Sequence, residues 1–167
     1  IPTTPGPHPA IVLLHGSGGN AGFWTERIAP YVAGRNIALY VVHYFDRTGT
    51  IRASYDDIID GYHFPAWLST IGDGLAYIRT RPEVDPGRIA LVGFSLGGFL
   101  ALSLATNPAT DIRAIVEISG GLPDLYAANA TAAFPPTLTP HGGADTYVTV
   151  SDAEKLDALL TTLNVPH

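Results

Sequence analysis

Five short apolar runs, separated by segments with helix-like patterns, constrain the fold of this chain more than any other feature. The runs are Ala10–Leu14, Ile37–Val42, Ile89–Phe94, Ile112–Ile118 and the weaker Pro136–His141. Runs that are apolar on both faces predict strands covered on both sides, as in a parallel sheet. We therefore expect a three-layer α/β fold with a doubly wound parallel sheet of about five strands and a functional site at the carboxyl ends of those strands.

Three of the intervening segments predict helices. Ala66–Thr80 places its large apolar residues on one face, Ser95–Thr106 is short and apolar, and Ser151–Leu163 opens with Ser151 and Glu154 in capping-box spacing. Residues 44–64 fit neither the helix nor the strand period. This stretch predicts an irregular segment that either shapes the site or lies in solvent as a surface loop.

Composition limits the classes of protein to consider. The chain has 167 residues, 46% of them hydrophobic and 14% charged, which favours one globular domain over residues 1–167. A formal net charge of −6 without a basic run argues against nucleic acid as a partner, and no apolar stretch approaches the roughly 20 residues of a membrane span. With no cysteine, disulfides and thiol nucleophiles are excluded. The compartment is open; a soluble cytoplasmic protein is slightly favoured over a secreted one, and no metal or cofactor is expected.

The strongest chemical signal is the segment Gly93-Phe94-Ser95-Leu96-Gly97, between an apolar run and an apolar helix. A G-x-S-x-G sequence in this context is typical of a nucleophile elbow, a sharp strand-to-helix turn that exposes the serine hydroxyl. The flanking glycines remove side chains that would obstruct the turn. We interpret Ser95 as a catalytic nucleophile; a glycine-rich turn without function is the alternative.

A second signal is His15-Gly16-Ser17-Gly18-Gly19, directly after the first run. Acyl transfer needs two backbone donors where the carbonyl oxygen becomes negative. We predict that Leu96, after the nucleophile, and Ser17 supply these N–H groups, with Gly18 as second choice for the latter. The same loop also reads as the dinucleotide fingerprint G-x-G-x-x-A, but the second run lacks the acidic residue expected at its end.

A third signal, His141-Gly142-Gly143-Ala144-Asp145, follows the last run. A carboxylate in this place in chain order suits the acid of a catalytic triad, which orients a histidine. Asp145 is preferred to Asp124, which lies one strand earlier, and to Asp152, whose place in a first helical turn suits the helix dipole.

Together these motifs resemble the dienelactone-hydrolase family. The segments HGSGG, HYFDRTGT (His43–Thr50), GFSLGG, SGGLP and PPTLTPHGGAD carry the resemblance, which extends over nearly the whole chain and keeps the order of the motifs. It implies an α/β-hydrolase core and cofactor-free hydrolysis of a small ester or lactone. Serine stands where founding members of the family have cysteine, so their substrates are not inherited.

The resemblance also implies a strand order of second, first, third, fourth, fifth. Family members usually have about two further strands before Ala10–Leu14, and after residues 164–167 one more strand and a G-H-G-F loop with the catalytic histidine. The resemblance therefore implies that this core lacks the terminal strands and the histidine loop, and that the base lies beyond residue 167. A homodimer or companion chain could cover the sheet edges that would then be exposed.

None of the six histidines within the chain is a convincing base. His8 lies in a proline-rich lead-in, His15 and His141 are typical of residues that hold loops together, and His167 is expected at the opposite edge from Ser95. His43 and His63 are the two that deserve mutation if the chain is active alone.

For the substrate pocket we predict a largely apolar lining that includes His15, Gly16, Gly18, Tyr44, Phe45 and Trp67, with Tyr62 and Phe64 near the mouth. Arg47 or Arg52 could add a contact to a substrate carboxylate, although solvated arginines are the simpler interpretation. The favoured function is a serine carboxylic-ester hydrolase. The alternatives are a catalytically incompetent fragment or acyl-binding module with the same pocket, and a dinucleotide-binding domain.

Overall fold

A five-stranded parallel sheet forms the centre of the protein in a computed structural model that describes residues 1–167. The strands are β1 (His8–Leu14), β2 (Ala38–Val41), β3 (Val84–Phe94), β4 (Ala114–Ile118) and β5 (Thr137–Leu138). Their order in the sheet is β2-β1-β3-β4-β5, with every neighbouring pair parallel. The predicted fold class and strand order are confirmed.

Six α-helices flank the sheet: α1 (Ala21–Val32), α2 (Tyr55–Ile59), α3 (His63–Arg79), α4 (Leu96–Ala105), α5 (Asp124–Ala127) and α6 (Val150–Leu163). Short 3-10 helices cover Asp46–Thr48 and Pro108–Thr110. Helix α4 packs on β1, β3 and β4, and α3 packs on β3 and α4. No helix combines the length and apolar character that crossing a membrane requires.

The buried core explains why the central runs are apolar throughout. Val12 and Leu14 of β1, Leu91 of β3 and Leu100 and Leu102 of α4 are all fully buried. Burying side chains of this size contributes about 1.5–3 kcal/mol each. The same residues place the ends of β1 and β3 side by side under the first turn of α4.

Strand register positions the candidate site. Leu14 of β1 pairs with Gly93 of β3, and Phe94 of β3 pairs with Ile118 of β4. The loops that follow the three central strands therefore leave the sheet at the same edge and next to one another. This is the carboxyl edge, where sites form in doubly wound sheets.

Several boundaries differ from the sequence expectations. Strand β3 begins at Val84 instead of Ile89, and β5 is reduced to two residues because Pro135, Pro136 and Pro140 limit its ladder. Helix α1 was not predicted, because Gly22 and Pro30 interrupt its pattern; Asn20 caps it by accepting a hydrogen bond from the Phe23 N–H.

Two capping assignments also change. The predicted box of Ser151 and Glu154 does not form, because α6 begins at Val150 and Ser151 already lies inside it. The capping box is instead at Ser54 and Asp57, at the start of α2 within the irregular stretch 44–64. Its sequence signal, serine followed three residues later by an acid, was available but is weak with aspartate in place of glutamate.

Candidate active site

Ser95 lies at the turn between β3 and α4, as the elbow motif predicts. Its backbone has φ 52° and ψ −119°, a region that residues with a side chain rarely adopt. Its N–H donates to the carbonyl oxygen of Ile118 at 2.8 Å, and its carbonyl oxygen accepts from Gly98 at 2.8 Å. These bonds hold the serine in the strained turn, and such strain in ordered structures concentrates at functional sites.

The glycines of the motif are required by close backbone contacts. A Cβ on Gly97 would lie 2.2 Å from the carbonyl oxygen of Leu14, and a Cβ on Gly93 would lie 2.3 Å from that of Gly97. Real Cβ atoms do not approach other atoms this closely. The two glycines therefore let the first turn of α4 sit directly on the ends of β1 and β3.

The glycine-rich loop after β1 brings a second donor group to the site. The Ser17 carbonyl oxygen accepts from the Ala53 N–H at 2.8 Å, and Gly19, at φ 70°, closes a turn by donating to Gly16 at 3.0 Å. The backbone N–H groups of Ser17 and Gly18 have no acceptor within the protein. The first N–H groups of a helix such as α4 are also without intrahelical acceptors, and that includes Leu96.

An apolar cavity of about 470 Å³ contains Ser17, Ser95 and Leu96 in its lining. This volume lies within the range of small-molecule sites. Its other residues come from α2, the start of α3, α4, α5 and the loop after β5. They are Tyr55, Ile58, Ile59, Gly61, Phe64, Pro65, Phe99, Pro123, Leu125, Tyr126, Tyr147 and Val148.

The predicted pocket lining needs correction, because none of His15, Gly16, Gly18, Tyr44, Phe45 and Trp67 lines this cavity. The segment after β2 turns inward and buries its aromatic rings. His15 stacks on Tyr44 at 4.2 Å between ring centroids, and Phe45 contacts both His15 and Trp67 edge-on or tilted. The Tyr44 hydroxyl donates to the His15 carbonyl oxygen at 2.5 Å. These residues pack against one another next to the loop that contains Ser17 and do not line the cavity.

Near the mouth, Phe64 lines the cavity as predicted, whereas Tyr62 does not. Arg47 is held on α3, where it pairs with Asp73 at 2.5 Å and donates to Ser69 at 2.8 Å, so it does not face the cavity. Arg52 has no carboxylate partner and lies 4.0 Å from where a Cβ on Gly18 would be.

Asp145 lies on the loop after β5, two residues before the cavity-lining Tyr147 and Val148. Its Oδ1 accepts from the Tyr147 N–H at 2.9 Å and from the Val148 N–H at 3.1 Å. These two backbone bonds hold the pKa of Asp145 below its ordinary value, and His141 and Ser119 add smaller effects in the same direction. An ionised carboxylate on this loop suits the role predicted for it.

No histidine lines the cavity that contains Ser95. His15 is buried, its Nδ1 contacts the Gly16 carbonyl oxygen at 2.9 Å, and burial lowers its pKa, so it is a neutral structural residue. His8 bonds to Thr4 at the amino end of β1, the wrong edge of the sheet. His63 pairs with Asp60 at 2.5 Å and packs on Trp67.

The remaining histidines do not line the Ser95 cavity either. His141 donates from Nε2 to the Val148 carbonyl oxygen at 2.9 Å and faces a different cavity, between β5 and α6. His167 lines that second cavity and pairs with Asp157 at 3.2 Å. His43 is exposed at the end of β2 and does not line the Ser95 cavity. Ser95, Ser17 and Leu96 thus line one cavity, Asp145 lies on the loop that supplies Tyr147 and Val148 to its lining, and no histidine lines it.

One ionisable residue near the site was missed. Glu117 of β4 is fully buried, and burial raises its pKa to about 7 despite a hydrogen bond from the Gly120 N–H. The available signal was a lone carboxylate inside the apolar run Ile112–Ile118, where strand periodicity places it on the same face as the buried Ile115.

Comparison with known proteins agrees with this fold. Residues 11–162 match the alpha/beta hydrolase family, and the chain belongs to that family. Mitochondrial acyl-coenzyme A thioesterase 2 of Mus musculus is 32% identical over 125 residues, covering 73% of this chain and 24% of the relative. A putative carbamate hydrolase of Pantoea ananatis is 31% identical over 110 residues, covering 66% and 36%. The chain spans about a quarter of the length of the thioesterases it matches.

Solved structures show the same fold. A dienelactone hydrolase-like promiscuous phosphotriesterase from metagenomic libraries superposes with a TM-score of 0.75 at 26% identity, covering 96% of this chain and 67% of its own. Esterase PE8 gives a TM-score of 0.77 at 20% identity, covering 99% and 83%. A putative dienelactone hydrolase from Klebsiella pneumoniae gives 0.78 at 16% identity, covering 98% and 72%. The resemblance to dienelactone hydrolases is therefore confirmed, and the dinucleotide alternative loses its support.

Proposed function

We propose that this hydrolase cleaves carboxylic esters through an acyl-enzyme on Ser95. The observation that carries the proposal is the strained backbone of Ser95, which lines an apolar cavity together with Ser17 and Leu96. A hydroxyl held out of a strand-to-helix turn, beside two sets of unused N–H donors, is suited to attack a carbonyl carbon and to stabilise the oxygen that becomes negative.

In the proposed reaction the Ser95 Oγ bonds to the ester carbonyl carbon, and its proton passes to a histidine. The carbonyl oxygen takes the electron pair and is held by the Ser17 and Leu96 N–H groups. Collapse expels the alcohol, which takes the proton from the imidazolium, and water then releases the acid by the same steps. Asp145 orients the histidine and stabilises its charged form. That histidine is supplied from outside the 167 residues.

The cavity favours an apolar acyl group of small to medium size. Its apolar lining includes Ile58 and Ile59 from α2 and Leu125 and Tyr126 from α5. Leu125 and Tyr147 are 78% and 98% exposed at its rim, so a bound chain would cover apolar surface that now meets water. A lactone or a thioester presents the same electrophilic carbonyl. Because the relatives include thioesterases, thioesters are a second class of substrate to test.

The experiment is hydrolysis of p-nitrophenyl esters of increasing acyl length, with matching acyl thioesters, by protein that carries its base. Activity should be highest with acyl chains of short to medium length. Ser95→Ala should lower kcat on the order of a millionfold. Asp145→Asn should lower turnover on the order of ten-thousandfold. Exposed Asp73→Asn on α3 is the matched control and should leave the rates unchanged. Activity that survives Ser95→Ala, or a preference for long-chain lipids or peptides, would contradict the proposal.

A second candidate, a non-enzymatic acyl-binding module, is favoured by the absence of histidine from the cavity. It predicts binding of acyl compounds at Ser95 without turnover, even when the protein includes residues beyond His167. Calorimetric titration with a non-hydrolysable acyl ketone, alongside the rate measurements, separates the two candidates.

A further inference from the structure

Glu117 is the only carboxylic acid that the fold buries completely, and it does not line the Ser95 cavity. Strand β4 alternates in burial, and Glu117 shares its buried face with Ile115. A carboxylate in such a place destabilises the fold unless it is neutral or well hydrogen-bonded. The contacts of the Glu117 carboxyl group indicate which segments it holds together.

The carboxyl group of Glu117 is wedged between two glycines. Its Oε2 lies 3.0 Å from where a Cβ on Gly98 would be and 2.6 Å from where a Cβ on Gly120 would be. Gly98 belongs to the first turn of α4, the nucleophile helix, and Gly120 to the turn after β4. Both glycines are needed to make room for this side chain.

Through Gly120, Glu117 is connected to the nucleophile and to the acid. Its Oε2 accepts from the Gly120 N–H at 2.8 Å. A Cβ on Gly120 would lie 3.1 Å from the Ser95 carbonyl oxygen, so this turn touches the elbow itself. The preceding residue, Ser119, has φ 52°, donates to Pro140 at 3.1 Å, and its side chain contributes to the low pKa of Asp145.

The charges around Glu117 do not pair with it. Helix α4 contains no charged residue. His141, after β5, favours the ionised form, and Asp152, in the first turn of α6, opposes it. The second carboxyl oxygen, Oε1, is buried without a hydrogen-bond partner. Burial outweighs the Gly120 bond, and the pKa of about 7 means that the group changes charge near neutral pH.

We propose that Glu117 is a positioning residue whose carboxyl group holds the turn after β4 against the first turn of α4, and that its neutral and ionised forms hold that turn differently. The ionised form makes the Gly120 hydrogen bond charge-assisted and therefore shorter. It also places a negative charge under the N-terminus of α4, whose N–H groups are the proposed oxyanion donors. The protonation of Glu117 thus couples the geometry of Ser95 to that of Asp145.

Amide NMR tests this coupling without requiring activity. In the wild-type chain, the Gly120 and Ser95 amide resonances should move together between about pH 5 and pH 9, with the midpoint of the Glu117 side-chain carboxyl measured by ¹³C in the same sample. In Glu117→Gln, whose amide oxygen still accepts from Gly120, both shifts should vanish. His141→Gln is the control for the neighbouring imidazole and should retain them.

Four outcomes would overturn the proposal: no movement of the wild-type resonances, midpoints that differ from that of Glu117, shifts that persist in Glu117→Gln, or shifts that vanish in His141→Gln. The wild-type comparison of midpoints decides the matter even if a variant does not fold. Loss of the shifts in His141→Gln would assign the effect to His141 instead.

A second readout rests on the proposed function and uses protein that hydrolyses esters. Glu117→Gln should change the pH dependence of kcat with little change in KM, and Glu117→Ala, which leaves the Gly120 N–H unpaired, should lower kcat about tenfold or more. A purely structural role would reduce the amount of folded protein and leave the pH profile as it is. If no hydrolysis is found at all, the proposed function fails while the NMR test of Glu117 still stands.

Discussion

The turn at Ser95 forces a backbone conformation that is strained for any residue with a Cβ atom. A non-glycine residue in such a region costs on the order of 1–3 kcal/mol, which the surrounding hydrogen bonds and packing must offset. Glycine would adopt φ 52° and ψ −119° without this cost, yet the position holds serine. A serine at such a position is consistent with the use proposed for its hydroxyl.

We therefore expect Ser95→Gly to be more stable than Ser95→Ala by about 1 kcal/mol, because alanine keeps the Cβ that the turn strains and glycine removes it. Urea unfolding of the two variants and of wild type measures the difference. Both variants lack the hydroxyl, so the comparison isolates the backbone. Equal stabilities would mean that the turn is not strained.

Glu117 makes the second residue-scale prediction, which concerns stability and pH. Its folded pKa is raised from 4.5 to about 7, so the native state binds the proton more tightly than the unfolded state. The free energy of unfolding should therefore fall as pH rises between these two values, by up to about 3 kcal/mol. Urea unfolding at about pH 5 and pH 8 measures it.

Glu117→Gln should remove most of this fall, whereas Glu154→Gln, on the exposed face of α6, should not alter it. The sign is opposite to that of carboxylates such as Asp145, whose lowered pKa favours the native state as pH rises. A wild-type stability that does not fall over this range would contradict the burial argument.

At the scale of elements, α4 depends on backbone contact with the strands beneath it. Gly97→Ala would place a Cβ 2.2 Å from the Leu14 carbonyl oxygen, so helix or strand must move. Overpacking of this kind costs about 2 kcal/mol or more. The matched control is Gly72→Ala in the middle of α3, where nothing lies within 4 Å of the new Cβ and the helix should gain roughly 0.5–1 kcal/mol.

Thermal unfolding by circular dichroism distinguishes these opposite effects. Gly97→Ala should lower Tm and Gly72→Ala should raise it, although both make the same chemical change within a helix. If the two variants shift Tm in the same direction, helix propensity determines the effect at Gly97, and the contact of α4 with β1 does not.

At the scale of the whole molecule, the residues proposed as nucleophile, oxyanion donors and acid all follow strands at the carboxyl edge of the sheet, and no histidine lines the Ser95 cavity. A serine hydroxyl needs an adjacent base to attack near neutral pH. We expect the 167 residues alone to hydrolyse an activated ester barely above background. Protein extended through a C-terminal strand and a histidine loop should be faster by several orders of magnitude, and Ser95→Ala should abolish that gain.

Initial rates for the short chain, the extended chain and the extended Ser95→Ala variant make the comparison. A short chain that already turns over about once per second or faster would place the base inside it. His43 and His63 would then be mutated first, because both follow strands or helices at the site edge and neither is buried.

Local sequence pattern was enough to predict the sheet and the strand-to-helix turn at Ser95. Apolar runs such as Ala10–Leu14 predict covered parallel strands because local hydrophobic pattern reports burial on both faces, and G-x-S-x-G predicts the turn because only glycine fits its backbone contacts. Both are local properties. The family resemblance supplied the strand order, which pattern alone does not contain.

Tertiary contacts, and not local pattern, set which side chains line the Ser95 cavity. Tyr44, Phe45 and Trp67 are apolar and aromatic, as a pocket lining would be, but they pack around His15 because the chain after β2 turns inward. The walls come instead from α2 and α5, short helices with little pattern of their own. Strand alternation indicates that Glu117 is buried, but the close packing of Gly98 against its carboxyl group joins α4 to β4 and is not a local property. Local pattern encodes which residues are buried on average, whereas the direction in which a loop folds depends on contacts between segments far apart in the chain.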